Sequence, residues 1–152
     1  VPVLVIAAAL TGLLFLRRRC VIVTVHGVSM RPTLQPGDRV LVWRRLRSRV
    51  RCGDIVALRL PRSGALTWQD TERLGDDAHI PEWVVKRVAA VAGDRPPAVS
   101  EHSAEATLAS VPRGHVYLLG DAGMSMDSRH WGFVRVDELL GVVVARLPTV
   151  GR

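Results

Sequence analysis

The sequence predicts a mainly β, antiparallel domain preceded by an apolar N-terminal helix. Three observations carry that prediction. Six short runs rich in β-branched residues are separated by turn residues, mostly Gly-Asp or Pro-Gly. Helical periodicity is weak beyond residue 19. Hydrophobic residues make up 48% of the chain against 23% charged, with a mean hydropathy of +0.19, which supplies a packed core and excludes wholesale disorder. The 152 residues suffice for one domain of ordinary size and are too few for two.

The apolar helix comes first. Val1 to Leu16 (VPVLVIAAALTGLLFL) carries no charged residue and is followed by Arg17-Arg18-Arg19. Sixteen helical residues span roughly 24 Å at ~1.5 Å each, short of the ~30 Å hydrocarbon core. A secretory leader wants positive charge before its apolar run and a small-residue cleavage site after it, and this segment has neither. Residues 1–19 are therefore read as a clipped or marginal transmembrane anchor, with a buried helix as the alternative, and 20–152 as the folded domain. Arginines directly behind the run would, by the positive-inside rule, favour a cytoplasmic body.

The strands follow in order. Val21 to Val25 is β-branched throughout, and Val40 to Trp43 follows the turn Gln35-Pro36-Gly37-Asp38. Ile55 to Leu60 follows Gly53-Asp54, Trp83 to Val91 ends at Gly93-Asp94, His115 to Leu119 leads into Gly120-Asp121, and Gly141 to Arg146 closes the set. Pro61 to Pro81, Arg95 to Pro112 and Asp121 to Phe133 read as loops, and Val136 to Leu140 as one helical turn.

Charge narrows the partners. The net charge is +7, and 20 of the 21 basic residues are arginine; the sole lysine is Lys86. Arg17 to Arg51 holds ten arginines, one acid (Asp38) and Trp43. No helix-turn-helix, RRM or zinc motif accompanies them, so an anionic lipid surface, worth about 1 kcal/mol per arginine, is expected rather than nucleic acid. Cys20 and Cys52 are too few for a disulfide-dense scaffold or a Cys₄ zinc site, and they leave one bridge or two free thiols open. His26, His79, His102, His115 and His130 lack metal-ligand spacing, so no metal or other cofactor is expected.

Three segments carry chemistry. In Gly27-Val28-Ser29-Met30-Arg31-Pro32-Thr33-Leu34, a glycine two residues before Ser29 permits close backbone approach, and a proline three residues after it fixes the exit direction. That setting suits an exposed hydroxyl beside free backbone N–H groups, the requirement of a serine nucleophile and its oxyanion; taken alone, such a serine is more often a plain turn residue. Lys86 lies in Glu82-Trp83-Val84-Val85-Lys86-Arg87-Val88, where alternation places Val84, Lys86 and Val88 on one face. An arginine cannot lose its proton, whereas a desolvated lysine can become a general base. The third segment, Tyr117 to Val134, holds Ser125, Asp127, Ser128 and Arg129, able to orient an amine and stiffen a loop through an Asp–Arg pair.

In this order the segments resemble the boxes of type I signal peptidases. Gly27 to Leu34 with Gly37-Asp38 is similar to the serine box, and Arg51-Cys52-Gly53-Asp54-Ile55-Val56 to the Gly-Asp-Ile-Val box. Val85-Lys86-Arg87-Val88 with Gly93-Asp94 resembles the lysine box. Gly120-Asp121 through Ser125, Asp127-Ser128-Arg129 and Gly132 resembles the final box, with Ala122 where an Asn is usual and one residue fewer before Ser125. The resemblance implies a compact, barrel-like β domain that cleaves signal peptides from exported preproteins after small residues at the −1 and −3 positions. It implies Ser29 as nucleophile and oxyanion donor and Lys86 as general base. Ser125 would hold the amine, Asp127, Ser128 and Arg129 would brace it, and Met30 and Gly27 would line the site. It implies a single-pass protein of the cell membrane with its catalytic domain on the extracytoplasmic face. Two other readings are a dedicated leader- or pilin-processing protease of the same superfamily and a non-catalytic, arginine-rich, membrane-tethered binding protein. A self-cleaving repressor of the LexA type shares the Ser/Lys chemistry, but the 28 residues before Ser29 are too few for its DNA-binding domain.

Overall fold

A computed structural model of the chain describes residues 5–7, 11–12, 19–44, 49–59, 83–97, 110–123 and 125–148. Its centre is one curled sheet of seven strands: β1 (Cys20–Thr24), β2 (Arg39–Trp43), β3 (Ile55–Leu58), β4 (Val84–Val91), β5 (His115–Leu119), β6 (Val134–Arg135) and β7 (Leu139–Leu147). The spatial order is β1-β2-β7-β3-β4-β5-β6, and every neighbouring pair is antiparallel. The last strand inserts between β2 and β3, so the β1–β2 hairpin that carries Ser29 and the lysine strand β4 belong to one continuous sheet.

Strand alternation distributes the core over two clusters. Along β3, Val56 and Leu58 pack with Val88, Val116, Leu118, Leu139 and Val142, whereas the intervening Ala57 joins Val23, Val25, Met30, Val40, Val42, Val85 and Leu140. Lys86 shares its face with Val84 and Val88, and Val85 points into the other cluster. The sheet is therefore covered on both sides around β4, which explains how a lysine there is only 4% exposed. Past Val88 the pairing with β5 shifts by one residue at Ala89, a bulge that bends β4 away beyond the lysine.

All six expected strands are present, with shifted ends: β1 begins at Cys20 and stops at Thr24, β3 stops at Leu58, and β4 begins at Val84. β7 starts two residues early because Val136–Glu138 forms only a 3₁₀ turn, and Leu139 and Leu140, expected to be helical, are already paired or buried in the sheet. The expected loop Asp121 to Phe133 contains a one-turn helix, Ser128–Trp131, held by a side-chain cap rather than by apolar periodicity. The loop Pro61 to Pro81 lies outside the described residues, as do residues 98–109 of the loop Arg95 to Pro112. Of the expected anchor, residues 5–7 and 11–12 are helical and exposed, with Thr11 Oγ1 donating to Ala7 O at 2.8 Å; most of the rest lies outside the described residues. Among the described residues no helix is long and apolar enough to cross a membrane.

Candidate active site

Ser29 sits in the β1–β2 connection, a loop closed at its base by the backbone. Val25 N–H donates to Asp38 O at 2.8 Å and Gly37 N–H to Val25 O at 2.9 Å. The Asp38 carboxylate, 5% exposed, accepts from Gln35 N at 2.7 Å and from an Arg146 Nη2 of β7 at 2.9 Å, which ties the loop to the sheet. Within it, Arg31 N–H donates to Val28 O and Leu34 N–H to Met30 O, while Met30 and Leu34 are buried in the core. Met30 thus anchors the loop from beneath, and Gly27 takes the left-handed conformation at φ 75°. Ser29 itself is half-buried, and its hydroxyl has no hydrogen-bond partner among the described residues.

The Lys86 amine reaches out from β4 and donates to Ser125 Oγ at 2.9 Å. Burial between Val84 and Val88 is the main influence on it and disfavours the charged form; Asp127 partly opposes this, and Arg129 adds to it. The result is an amine lowered from 10.5 to about 8. At neutral pH a usable fraction is unprotonated.

The segment after β5 holds the amine's partner in place. Asp127 is fully buried and accepts from Arg129 Nε at 2.8 Å, Arg129 Nη2 at 2.7 Å and Gly120 N at 2.9 Å, besides capping the helix through Arg129 N at 3.2 Å. Burial alone would raise this carboxyl; the Arg129 guanidinium and the two backbone N–H groups outweigh it and hold it below the usual carboxylate range. Arg129 also donates to Gly123 O at 3.2 Å, and Ser128 Oγ accepts from Leu118 N at 2.9 Å. Ser125, Asp127, Ser128 and Arg129 form one braced loop, and Ser128 works through the β5 backbone, away from the lysine.

Two further features bring the Ser29 loop to this brace. Arg87, next to the lysine but on the opposite face of β4, donates Nε and Nη2 to both oxygens of Asp121 at 2.8 and 2.7 Å and Nη1 to Gly53 O at 2.9 Å. Thr33 Oγ1, from the serine loop, donates to Asp121 Oδ2 at 2.5 Å. The Arg87 bonds hold the Asp121 carboxyl below its usual range. Beside this clasp, Ala122 N–H donates to Ser29 O at 2.9 Å. A Cβ built on Gly120 would lie 2.3 Å from Ser125 Oγ and 2.6 Å from Ser29 O, which bounds the separation of those two oxygens at about 5 Å. The serine loop, the lysine's partner and the Gly120 backbone are therefore in contact, and only a glycine fits between them.

The sequence pattern points to Ser29, Lys86, Ser125, Asp127, Ser128 and Arg129 and gives no role to Thr33, Arg87, Gly120, Asp121 or Trp131. Gly120 and Asp121 read only as a turn and as part of a box, because neither a missing side chain nor a long-range ion pair leaves a local pattern. Among the described residues no group of His, Cys, Asp and Glu could hold a metal ion, and Cys20 and Cys52 are free thiols. The arrangement places a buried amine, the serine hydroxyl that accepts from it and the backbone of the Ser29 loop side by side.

Comparison with known proteins bears on this chemistry. A family model described as signal peptidase, peptidase S26, matches residues 1–96 and 96–148. The chain is 33% identical over 153 residues to mitochondrial ATP-independent inner membrane protease subunit 1a of Arabidopsis thaliana, covering 93% of this chain and 80% of the relative. It is 34% identical over 127 residues to mitochondrial inner membrane protease subunit 2 of Mus musculus, covering 78% and 61% respectively. The corresponding subunit 2 of Schizosaccharomyces pombe is 33% identical over 147 residues, covering 89% and 69%.

Proposed function

The chain belongs to the signal peptidase, peptidase S26, family, and we propose that it is a membrane-associated serine endopeptidase that removes N-terminal leader segments through a dyad of Ser29 and Lys86. The observation that carries this reading is the buried Lys86 amine, lowered to about 8 and bonded to Ser125 beside the serine loop. In the proposed reaction the neutral amine takes the Ser29 hydroxyl proton as Oγ attacks the scissile carbonyl. The Ser29 backbone N–H donates to the oxyanion. The lysine ammonium then gives its proton to the departing amine, leaving an acyl ester on Ser29. Water, deprotonated by the same lysine, hydrolyses that ester and restores the hydroxyl. Ser125 keeps the amine directed, and the Asp127–Arg129 pair keeps Ser125 in place. No cofactor enters any step.

The proposed substrates are exported or membrane-sorted preproteins with small residues at −1 and −3. The apolar run of residues 1–16 and the arginines after it would keep the site beside an anionic membrane surface, where such a cleavage site emerges. Relatives named as inner membrane protease subunits support the membrane setting, and a dedicated processing enzyme fits them as well as a general one. The test incubates the full chain in detergent with a preprotein carrying Ala-X-Ala and reads the cut by mass spectrometry. Cleavage after the second Ala, lost in both Ser29→Ala and Lys86→Arg, is the expected result. An active Lys86→Arg variant would overturn the base assignment, since a guanidinium keeps its proton.

A further inference from the structure

Trp131 closes the one-turn helix that begins at Ser128, immediately beyond the Asp127–Arg129 pair. It packs on the cluster containing Val88, with Val84 against the same cluster, so it lies on the lysine's face of β4. The Lys86 Nζ sits over its indole ring, 5.9 Å from the centroid. The indole N–H is buried without a hydrogen-bond partner among the described residues, and the amine lies over the face of the ring. We propose that Trp131 is a positioning residue for the Lys86 amine, its indole capping that amine against bulk water.

Two effects of the ring oppose one another. An aromatic face attracts an ammonium, and this favours the charged amine. Excluding water favours the neutral one. At 5.9 Å the contact is at the outer limit of roughly 6 Å for cation–π attraction, and burial is the largest influence on this amine. Exclusion of water therefore wins, and removing the ring moves the amine back toward its ordinary 10.5. The charged groups facing the amine are Asp127 and Arg129, opposite in sign and bonded to each other. Ser125 stays as its hydrogen-bond partner.

The capping claim can be tested apart from proteolysis, because Lys86 is the only lysine in the chain. The 152-residue chain labelled with [13Cε]lysine gives a single resonance whose pH midpoint is the amine's own. Trp131→Ala is expected to raise that midpoint by about one pH unit, and Trp131→Phe, which keeps a ring, to hold it within about 0.3. Should the Ala variant fail to fold, Trp131→Leu keeps apolar packing but covers less of the amine, and its midpoint is expected to rise by a smaller step. An unchanged midpoint in folded Trp131→Ala or Trp131→Leu overturns the proposal. So does a Phe midpoint displaced as far as that of Ala. The consequence for catalysis rests on the proposed dyad: peptidase activity of Trp131→Ala at pH 7 would fall about tenfold and recover near pH 10. A shifted resonance in a chain that cleaves nothing would refute the dyad and leave the capping role standing; an unshifted one in an active enzyme would do the reverse.

Discussion

Gly120→Ala tests the site's assembly through a group with no chemistry of its own. The added methyl would lie 2.3 Å from Ser125 Oγ and 2.6 Å from both Ser125 Cβ and Ser29 O. Carbon contacts settle at about 3.5–4.0 Å, so the neighbours must part by about 1 Å. Ser29 O is backbone and already accepts from Ala122 N at 2.9 Å, so the movement falls on the loop carrying the proposed nucleophile. A displacement of about 1 Å costs on the order of 10²-fold in rate. The overpacking itself destabilises by about 1–3 kcal/mol, lowering the melting midpoint by roughly 3–9 °C. The assay is kcat/KM on an Ala-X-Ala preprotein beside a thermal melt, with Gly123→Ala as control. Nothing lies within 4 Å of a Cβ at Gly123, so that variant should stay within about 0.5 kcal/mol of the parent and keep its activity. Parental turnover and melting in Gly120→Ala would refute the claim that Ser29 and Ser125 meet across this glycine.

Three other outcomes are expected. The rate on preprotein should rise with pH and reach half its maximum near pH 8, where the Lys86 amine loses its proton; a flat profile from pH 5 to 9 contradicts a lysine base. Lys86→Met should be inactive yet more stable. The folded amine titrates near 8 against 10.5 when free, so the burial penalty is present in full below pH 8 and fades as pH rises from 8 to 10.5. Removing it, less one hydrogen bond to Ser125, should give on the order of 2 kcal/mol at pH 7 in urea denaturation, and a loss of stability would count against the assignment. Asp127→Asn should destabilise by about 3 kcal/mol at pH 7, because the buried Asp127–Arg129 ion pair is broken. The native Asp127 carboxyl is held below 3.8, so its contribution exists above that value and is lost as pH falls beneath it. Melts of the two proteins should therefore converge in acid, and a gap that persists at pH 2 would point to lost packing instead.

How much of this was legible beforehand depends on range. Strands could be read because each carries its signal locally: Val40 and Val42 alternate with exposed or half-exposed neighbours, and Val84, Lys86 and Val88 share a face as alternation requires. Lys86 stood out because a chain that otherwise uses arginine made one exception. The insertion of β7 between β2 and β3 has no local signal, and neither does the pairing of Arg87 with Asp121, 34 positions apart. The helix Ser128–Trp131 was missed for another reason. It is one turn long, and Asp127 stabilises it by accepting from Arg129 N, a cap whose only trace in sequence is an Asp that also serves as an ion-pair partner. The shortened stretch before Ser125 still delivers its hydroxyl to the lysine, and the missing side chain at Gly120 leaves room for Ser125 and Ser29 O to approach.

Acylation of the enzyme interrogates the dyad at the reacting atoms. The full chain is mixed with an activated ester of a peptide ending in Ala-X-Ala, quenched in acid within one turnover, and mapped by mass spectrometry. One acyl group on the peptide containing Ser29, forming faster as pH rises through 8 and absent from Lys86→Arg, is the predicted result. An adduct on Ser125 or elsewhere, or parental acylation of Ser29 in the arginine variant, would contradict it.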